Sequence, residues 1–221
     1  MKEFVIDEYK SGLGHIVLSL ESDMDFKFNW KKSDKKLISS DDFSLLICET
    51  KIQNSWLPKD MKVDSSHIWI CLITKESNQP NPLKLKIKLV KFNSDTTWDY
   101  ASGEDLDAIE IQNAKYIGHI GTEDAEAFRK RAEENNDLPL RFGDKLGFSA
   151  SRDYSFTEYI DFGFITNIPE LKKGEFIYFH YISAINEKKF SEDGIEMAGI
   201  STWYAVDQNK QKFEVYLSTN A

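Results

Sequence analysis

His67-Ile-Trp-Ile-Cys-Leu-Ile-Thr74 and Leu83-Lys-Leu-Lys-Ile-Lys-Leu-Val-Lys-Phe92 are the stretches that decide the fold class. The first is apolar without a break from Ile68 to Ile73, as in a strand buried on both faces. The second alternates, with Leu83, Leu85, Ile87 and Leu89 on one face and Lys84, Lys86 and Lys88 on the other, because successive strand side chains point to opposite sides. Between them lies Lys75-Glu-Ser-Asn-Gln-Pro-Asn-Pro82, rich in breakers, so the two strands are expected to pair as a hairpin. Adjacent Leu89 and Val90 reverse the alternation, which a β-bulge would produce. The lysine row suits a solvated face or a guarded edge.

Outward from this pair the chain keeps reading as strands. Phe4-Val-Ile6 leads through the turn Ser11-Gly-Leu-Gly14 into His15-Ile-Val-Leu-Ser-Leu20, and Phe26, Phe28 and Trp30 alternate with polar residues. Lys31 to Asp42 is lysine-rich and reads as a surface loop, followed by the strand Phe43 to Cys48 and the connection Lys51 to Ser66. Asn93 to Asp107 reads as an acidic loop, and Ala108 to Ile111 and Lys115 to Ile120 as a strand pair. A helix is predicted over Glu123 to Asn135, with Thr122 at its N-cap, acids in its first turn and Ala125, Phe128 and Ala132 as its apolar stripe. The last third predicts strands at Arg141 to Phe148, Tyr159 to Ile165 and Glu175 to Ile182, then a charged loop or short helix over Asn186 to Gly194. It closes on a hairpin of Ile200 to Val206 and Lys212 to Leu217. The fold class is mainly β (α+β): antiparallel strands in one large sheet or two packed β units, with one conspicuous helix near residues 123–135. A single domain over 1–221 is expected. The tripeptide Gly-His-Ile at Gly14 and again at Gly118 supports the alternative of two similar β units, 1–100 and 101–221.

At 221 residues and 41% hydrophobic the chain can bury a sizeable core. No apolar run approaches the roughly 20 residues of a membrane span, and Met1 to Glu8 lacks the features of a secretory signal, so cytoplasmic residence and no membrane partner are expected. Cys48 and Cys71 each lie in an apolar run and read as buried small hydrophobes; a cross-strand disulfide is the alternative in an oxidising compartment. The net charge of −9 is concentrated: Asn93 to Asp137 holds 12 acidic residues against 4 basic ones. That sign excludes nucleic acid as a partner of the segment and suits a basic protein.

Tests for chemistry return little. Ser11-Gly-Leu-Gly-His15 lacks the lysine of a phosphate loop and leads into a strand. Asp161-Phe-Gly163 copies three letters of a kinase motif without its companions. His119, four residues before Glu123, has a ligand-type residue at metal spacing. His180, between Phe179 and Tyr181, reads as a core histidine with a fixed partner. Pairs of acids such as Glu158 and Asp161 can be drawn at will from 37 carboxylates. No cofactor, metal or catalytic residue is therefore expected. Trp98 and Tyr100 stand out, because two large aromatics among acids have the composition of a protein-interaction hot spot.

An acidic, β-rich chain of this length without a catalytic motif resembles, by type, the immunity proteins of bacterial polymorphic toxin systems, which bind and neutralise a cognate toxin. The resemblance implies a non-enzymatic binder of a basic toxin or nuclease. It would place the contact surface on Asp95, Trp98, Asp99, Tyr100, Glu104, Asp105, Asp107 and Glu110 together with Glu123, Asp124 and Glu126 at the helix start. The competing expectations are a hydrolase with a β-rich cleft and a carbohydrate-binding module.

Overall fold

Short strands with period-two burial dominate the computed structural model, which describes residues 1–32, 35–135, 138, 156–188 and 197–208. Among these the strands are β1 (Lys2–Lys10), β2 (His15–Ser22), β3 (Lys27–Lys32), β4 (Lys35–Ser39), β5 (Phe43–Thr50), β6 (Ser65–Lys75), β7 (Lys84–Val90), β8 (Thr97–Tyr100), β9 (Leu106–Gln112), β10 (Tyr116–Glu123), β11 (Thr157–Ile160), β12 (Gly163–Asn167) and β13 (Phe176–Glu187). The helices are α1 (Ala125–Lys130) and α2 (Met197–Asp207). The chain is mainly β, in two antiparallel sheets ordered β1-β2-β7-β12-β11 and β3-β4-β5-β6-β13-β10-β9-β8. Each sheet draws strands from both halves of the chain.

The core lies between the sheets. Ile16, Leu18, Leu20, Leu85, Ile87, Leu89 and Phe164 of the first sheet meet Leu45, Ile47, Trp69, Cys71, Ile73, Phe179 and Tyr181 of the second. A second apolar layer covers the other face of the larger sheet, where Ile68, Ile70, Ile182 and Ala184 pack under Ile52, Leu57 and Val63 and under Ala205 and Val206 of α2. The smaller sheet leaves its outer face to solvent, and the two opening stretches record this difference. Uniformly apolar β6 is covered on both faces, whereas β7 alternates because only one face is covered.

That contrast also corrects the expected hairpin. β6 and β7 belong to different sheets, so the Pro- and Asn-rich connection crosses the sandwich instead of turning back on itself. β7 is the central strand of the smaller sheet, paired in unbroken register with β2 and β12, so its lysines line a solvated face and guard no edge. Lys86 there sits 3.1 Å from Glu3 and 3.3 Å from Glu21. The bulge expected at Leu89 and Val90 is absent: Val90 stays on the outer face, and the chain turns at Lys91, whose φ is +52°. Register shifts occur instead between Val5 and Asp7 and between Trp30 and Lys32.

Five further expectations change. Asn93 to Asp107, expected as a loop, contains strand β8. Lys31 to Asp42 contains strand β4. Tyr159 to Ile165 is a hairpin of β11 and β12 around Asp161 and Phe162, the latter at φ +61°. A Cβ on Gly163 would lie 2.1 Å from the Ile87 carbonyl oxygen, so Asp161-Phe-Gly163 is a turn whose glycine lets β12 approach β7. Ile200 to Val206 lies in helix α2, with Ala198, Ser201, Thr202, Ala205 and Val206 buried at helical spacing. β10 runs on to Glu123, so Thr122 is in a strand and gives its hydroxyl to the His180 carbonyl (2.8 Å). Asp124 caps α1 instead, accepting the Ala127 N–H at 2.8 Å. The helix continues over Arg131–Asn135 as a π turn. Cys48 and Cys71 occupy adjacent strands, but Ile47 faces Cys71 and Cys48 faces Ile70, so the two thiols point to opposite sides of the sheet and are unbonded. The strands expected at Arg141 to Phe148 and Lys212 to Leu217, and most of the loop from Asn186 to Gly194, lie outside the described residues.

Candidate functional site

Edge strands β8 and β11 face each other along one open side of the sandwich, and aromatic side chains fill the seam. Trp98 and Tyr100 lie opposite Ile111 and Ile109 of β9, on the inner face of the larger sheet. Tyr159 comes from β11 and Phe162 from the turn after it. The rings form a chain of contacts: Tyr159 to Tyr100 (4.9 Å), Tyr100 to Trp98 (5.4 Å), Trp98 to Phe162 (6.3 Å) and Phe162 to Phe92 (4.3 Å). Most of this surface is held by the fold, yet Tyr100 remains 62% exposed. The Tyr159 hydroxyl donates to Asp107 Oδ1 at 2.9 Å, tying the two sheets together. Burial raises the pKa of both groups, and the adjacent carboxylate raises that of Tyr159 further.

The predicted acids divide between this seam and internal work. Asp95 and Asp99 are exposed beside it, Asp95 accepting the Ala114 N–H (3.1 Å) and Asp99 the Tyr100 N–H (2.8 Å). Glu158 and Asp161 add exposed carboxylates from the facing hairpin. Asp105 is buried and takes both its bonds from Lys130 at 2.8 Å, while Glu104 lies 3.7 Å from the same ammonium. Glu126 is clamped by Arg129. Glu110 lies on the outer face, 3.5 Å from His119, whose Nδ1 is 2.9 Å from the Thr202 hydroxyl on α2. Glu123 is buried against Arg131 (2.8 Å) and His180 (3.3 Å); burial pushes its pKa up, but these two neighbours outweigh it and hold the carboxyl below its ordinary value. Asp124 is pushed up to about 6 by burial, with Asp107 and Asp105 adding to the effect. Trp98, Tyr100, Asp95, Asp99 and Asp107 therefore gather at one seam, whereas Asp105, Glu110, Glu123 and Glu126 serve internal pairs.

A second polar constellation escaped the sequence reading. Asp7 on β1, Lys36 on β4, Glu49 on β5 and His67 on β6 converge at one end of the inter-sheet core. The register shift after Val5 makes Ile6 the extra residue, which turns Asp7 to face Leu18 and Tyr9 to face Ile16, towards the interior. The Trp69 indole N–H donates to Asp7 Oδ2 at 2.6 Å. Lys36 forms an ion pair with Asp7 and lies 2.5 Å from Glu49 Oε1. Burial would raise the Asp7 pKa, yet Lys36 and the indole bring it below the ordinary range. Glu49 is raised by burial and by Asp7, and His67 is lowered to about 4 by burial, so its imidazole is neutral at pH 7. Each residue looks unremarkable in sequence because the four sit on four strands of two sheets.

No helix of the described residues is long and apolar enough to cross a membrane. Compared with models of protein families and with curated proteins, the chain matches none of them.

Proposed function

We propose that this protein is a non-enzymatic binding protein that engages a basic protein partner, in the manner of an immunity protein neutralising a toxin, through the seam of β8, β11 and the turn at Phe162. The observation that supports this is the pre-ordered aromatic chain in which Tyr100, 62% exposed, packs between Tyr159 and Trp98 and is flanked by exposed Asp95, Asp99, Glu158 and Asp161. Rings already fixed by their neighbours lose little conformational freedom on binding, and aromatic anchors inside an acidic rim favour a partner presenting Arg and Lys. Cation–π contact with Tyr100 would add to the ion pairs.

A sugar platform is less well supported, because it needs rings presented with their faces in a common plane. Here Trp98 and Tyr100 are inclined by 72°, Tyr100 and Tyr159 by 80°, and Trp98 and Phe162 by 50°.

Burying the exposed part of Tyr100 removes on the order of 100 Å² of largely apolar surface from water, about 2–3 kcal/mol. Tyr100→Ala is therefore expected to weaken binding by about 30- to 100-fold, and Asp99→Asn to steepen loss at high salt less than the parent. The test is inhibition of basic nucleases, beginning with any encoded beside this chain, across a salt series. Inhibition that weakens with salt and is lost in Tyr100→Ala supports the assignment; a partner bound equally well by Tyr100→Ala overturns the surface.

A further inference from the structure

Three donor atoms at the Asp7 end of the sandwich, the His67 imidazole nitrogen and one carboxylate oxygen each from Asp7 and Glu49, lie within 4.8 Å of one another. His67 Nε2 is itself buried and finds no hydrogen-bond partner. It lies 3.8 Å from Asp7 Oδ2 and 3.7 Å from Glu49 Oε2, too far to hydrogen-bond to either. Two ligands of a tetrahedral zinc-type ion at about 2.0–2.1 Å are separated by roughly 3.3–3.4 Å. The two gaps to His67 exceed that by a few tenths of an ångström, and the two carboxylate oxygens lie within 4.8 Å of each other, so side-chain movement draws the three donors together.

We propose that Asp7, Glu49 and His67 form a binding site for one divalent transition-metal cation, with Lys36 as its internal competitor. The donor set of one imidazole and two carboxylates suits Zn²⁺ or Co²⁺ over the all-oxygen preference of Ca²⁺ and Mg²⁺. The surroundings orient the ligands. Trp69 fixes Asp7 through its indole N–H, and the His67 ring is held between Tyr9 (4.9 Å, stacked) and Trp69 (4.3 Å). The three ligand side chains keep 16–18% of their surface exposed, which gives the site an approach from solvent.

Charge explains the part played by Lys36. Its ammonium pairs with Asp7 and with Glu49, so it holds the place a divalent ion would take between the two carboxylates. The flexible lysine stem allows the exchange. The site stands apart from the proposed protein-binding seam, since β1 and β11 are opposite edges of the smaller sheet, and it does not depend on that assignment.

The test is calorimetric titration of the chelator-treated full chain with ZnCl₂, alongside the visible absorption of the Co²⁺ form and the shift in Tm on adding metal. The expected result is one equivalent of metal per chain, binding at least about tenfold tighter in Lys36→Met, from which the competing charge is gone. In His67→Gln binding should fall by about 100-fold or more and the ligand-field bands should be lost. Glu49→Gln, which keeps size and polarity, provides the same readout should the histidine variant fail to fold. Metal binding that survives both His67→Gln and Glu49→Gln, or a folded Lys36→Met that takes up no metal at millimolar concentration, overturns the proposal.

Discussion

Removing Asp42 should destabilise the protein far more than removing its partner and Asp42 together. Lys75 and Asp42 close the end of the core opposite the Asp7 cluster, with side chains only 3% and 5% exposed. The Lys75 ammonium donates to Asp42 Oδ2 at 2.6 Å and to the Gln79 carbonyl at 2.5 Å, and stands 4.0 Å over the Phe43 ring. Ser77 donates to the other oxygen of Asp42. Asp42→Leu strands a buried ammonium on one carbonyl and one ring face, at a cost of about 3–5 kcal/mol. Lys75→Met keeps the stem and leaves a carboxylate that Ser77 still serves and that protonation can neutralise, so about 2–3 kcal/mol is expected. The double variant Asp42→Leu with Lys75→Met has no charge left to solvate and should lie within about 1–2 kcal/mol of the parent. Urea unfolding at constant slope reads all three as midpoint shifts, with the single variants moving by roughly 1–2 M. If the single costs simply add in the double variant, within about 0.5 kcal/mol, the pair is not coupled and the reasoning fails.

Two further outcomes follow from packing and protonation. A Cβ on Gly121 would lie 2.5 Å from Val206 Cγ1 of α2, so Gly121→Ala should cost about 1–3 kcal/mol and Val206→Ala should recover part of it; additive costs in the cycle would refute the close packing of α2 on β10. His119 is 2% exposed and lowered to about 4 by burial, so between pH 6.5 and 4 the unfolded chain binds the extra proton. Its contribution is whole above pH 6.5 and is lost as pH falls, by up to about 3 kcal/mol. His67 acts in the same sense and Asp124, raised to about 6, in the opposite one. Urea midpoints from pH 7.5 to 4.5 should therefore fall less steeply in His119→Gln than in the parent, and parallel profiles would contradict this.

Single-strand periodicity made the antiparallel β class readable, together with the two-faced burial of β6 and β13 and the place of the lysine row. It could not say which strands pair, because an alternating strand fits any sheet with one covered face. Hence β6 and β7, adjacent in sequence and linked by a turn-rich loop, read as a hairpin that the structure divides between sheets. α2 was hidden for a different reason. Ser201, Thr202 and Ala205 are small residues that press against the sheet, while Met197 and Ile200, 45% and 46% exposed, carry the bulk outward. Hydrophobicity then marks the wrong face, and Ile200 to Val206 taken alone resembles a strand. At the seam, Trp98 and Tyr100 were legible from their acidic setting, whereas Phe162 and Tyr159 join them only through the meeting of two sheet edges.

The two ends of the core show why similar ion pairs carry different meanings. At the Lys75 end one cation meets one carboxylate, with a carbonyl, a hydroxyl and a ring completing the arrangement, so the local charge closes. At the Asp7 end one cation meets two carboxylates, and a neutral imidazole points a buried nitrogen at both without bonding to either. Stability alone would favour replacing such a surplus with apolar side chains, since desolvating an extra carboxylate is costly. The register shift at Ile6 makes the contrast sharper: without it Asp7 would face outward, and the interior would hold Glu49 and Lys36 as a balanced pair. Asp7→Asn separates the alternatives, because it leaves Lys36 and Glu49 as a balanced pair without moving the strand. If the Asp7 end is only a stabilising ion pair, the substitution should leave the metal affinity of the chain unchanged. If it is a binding site, Asp7→Asn should lower metal affinity by about tenfold or more while the smaller sheet, paired through β2 and β7, remains folded.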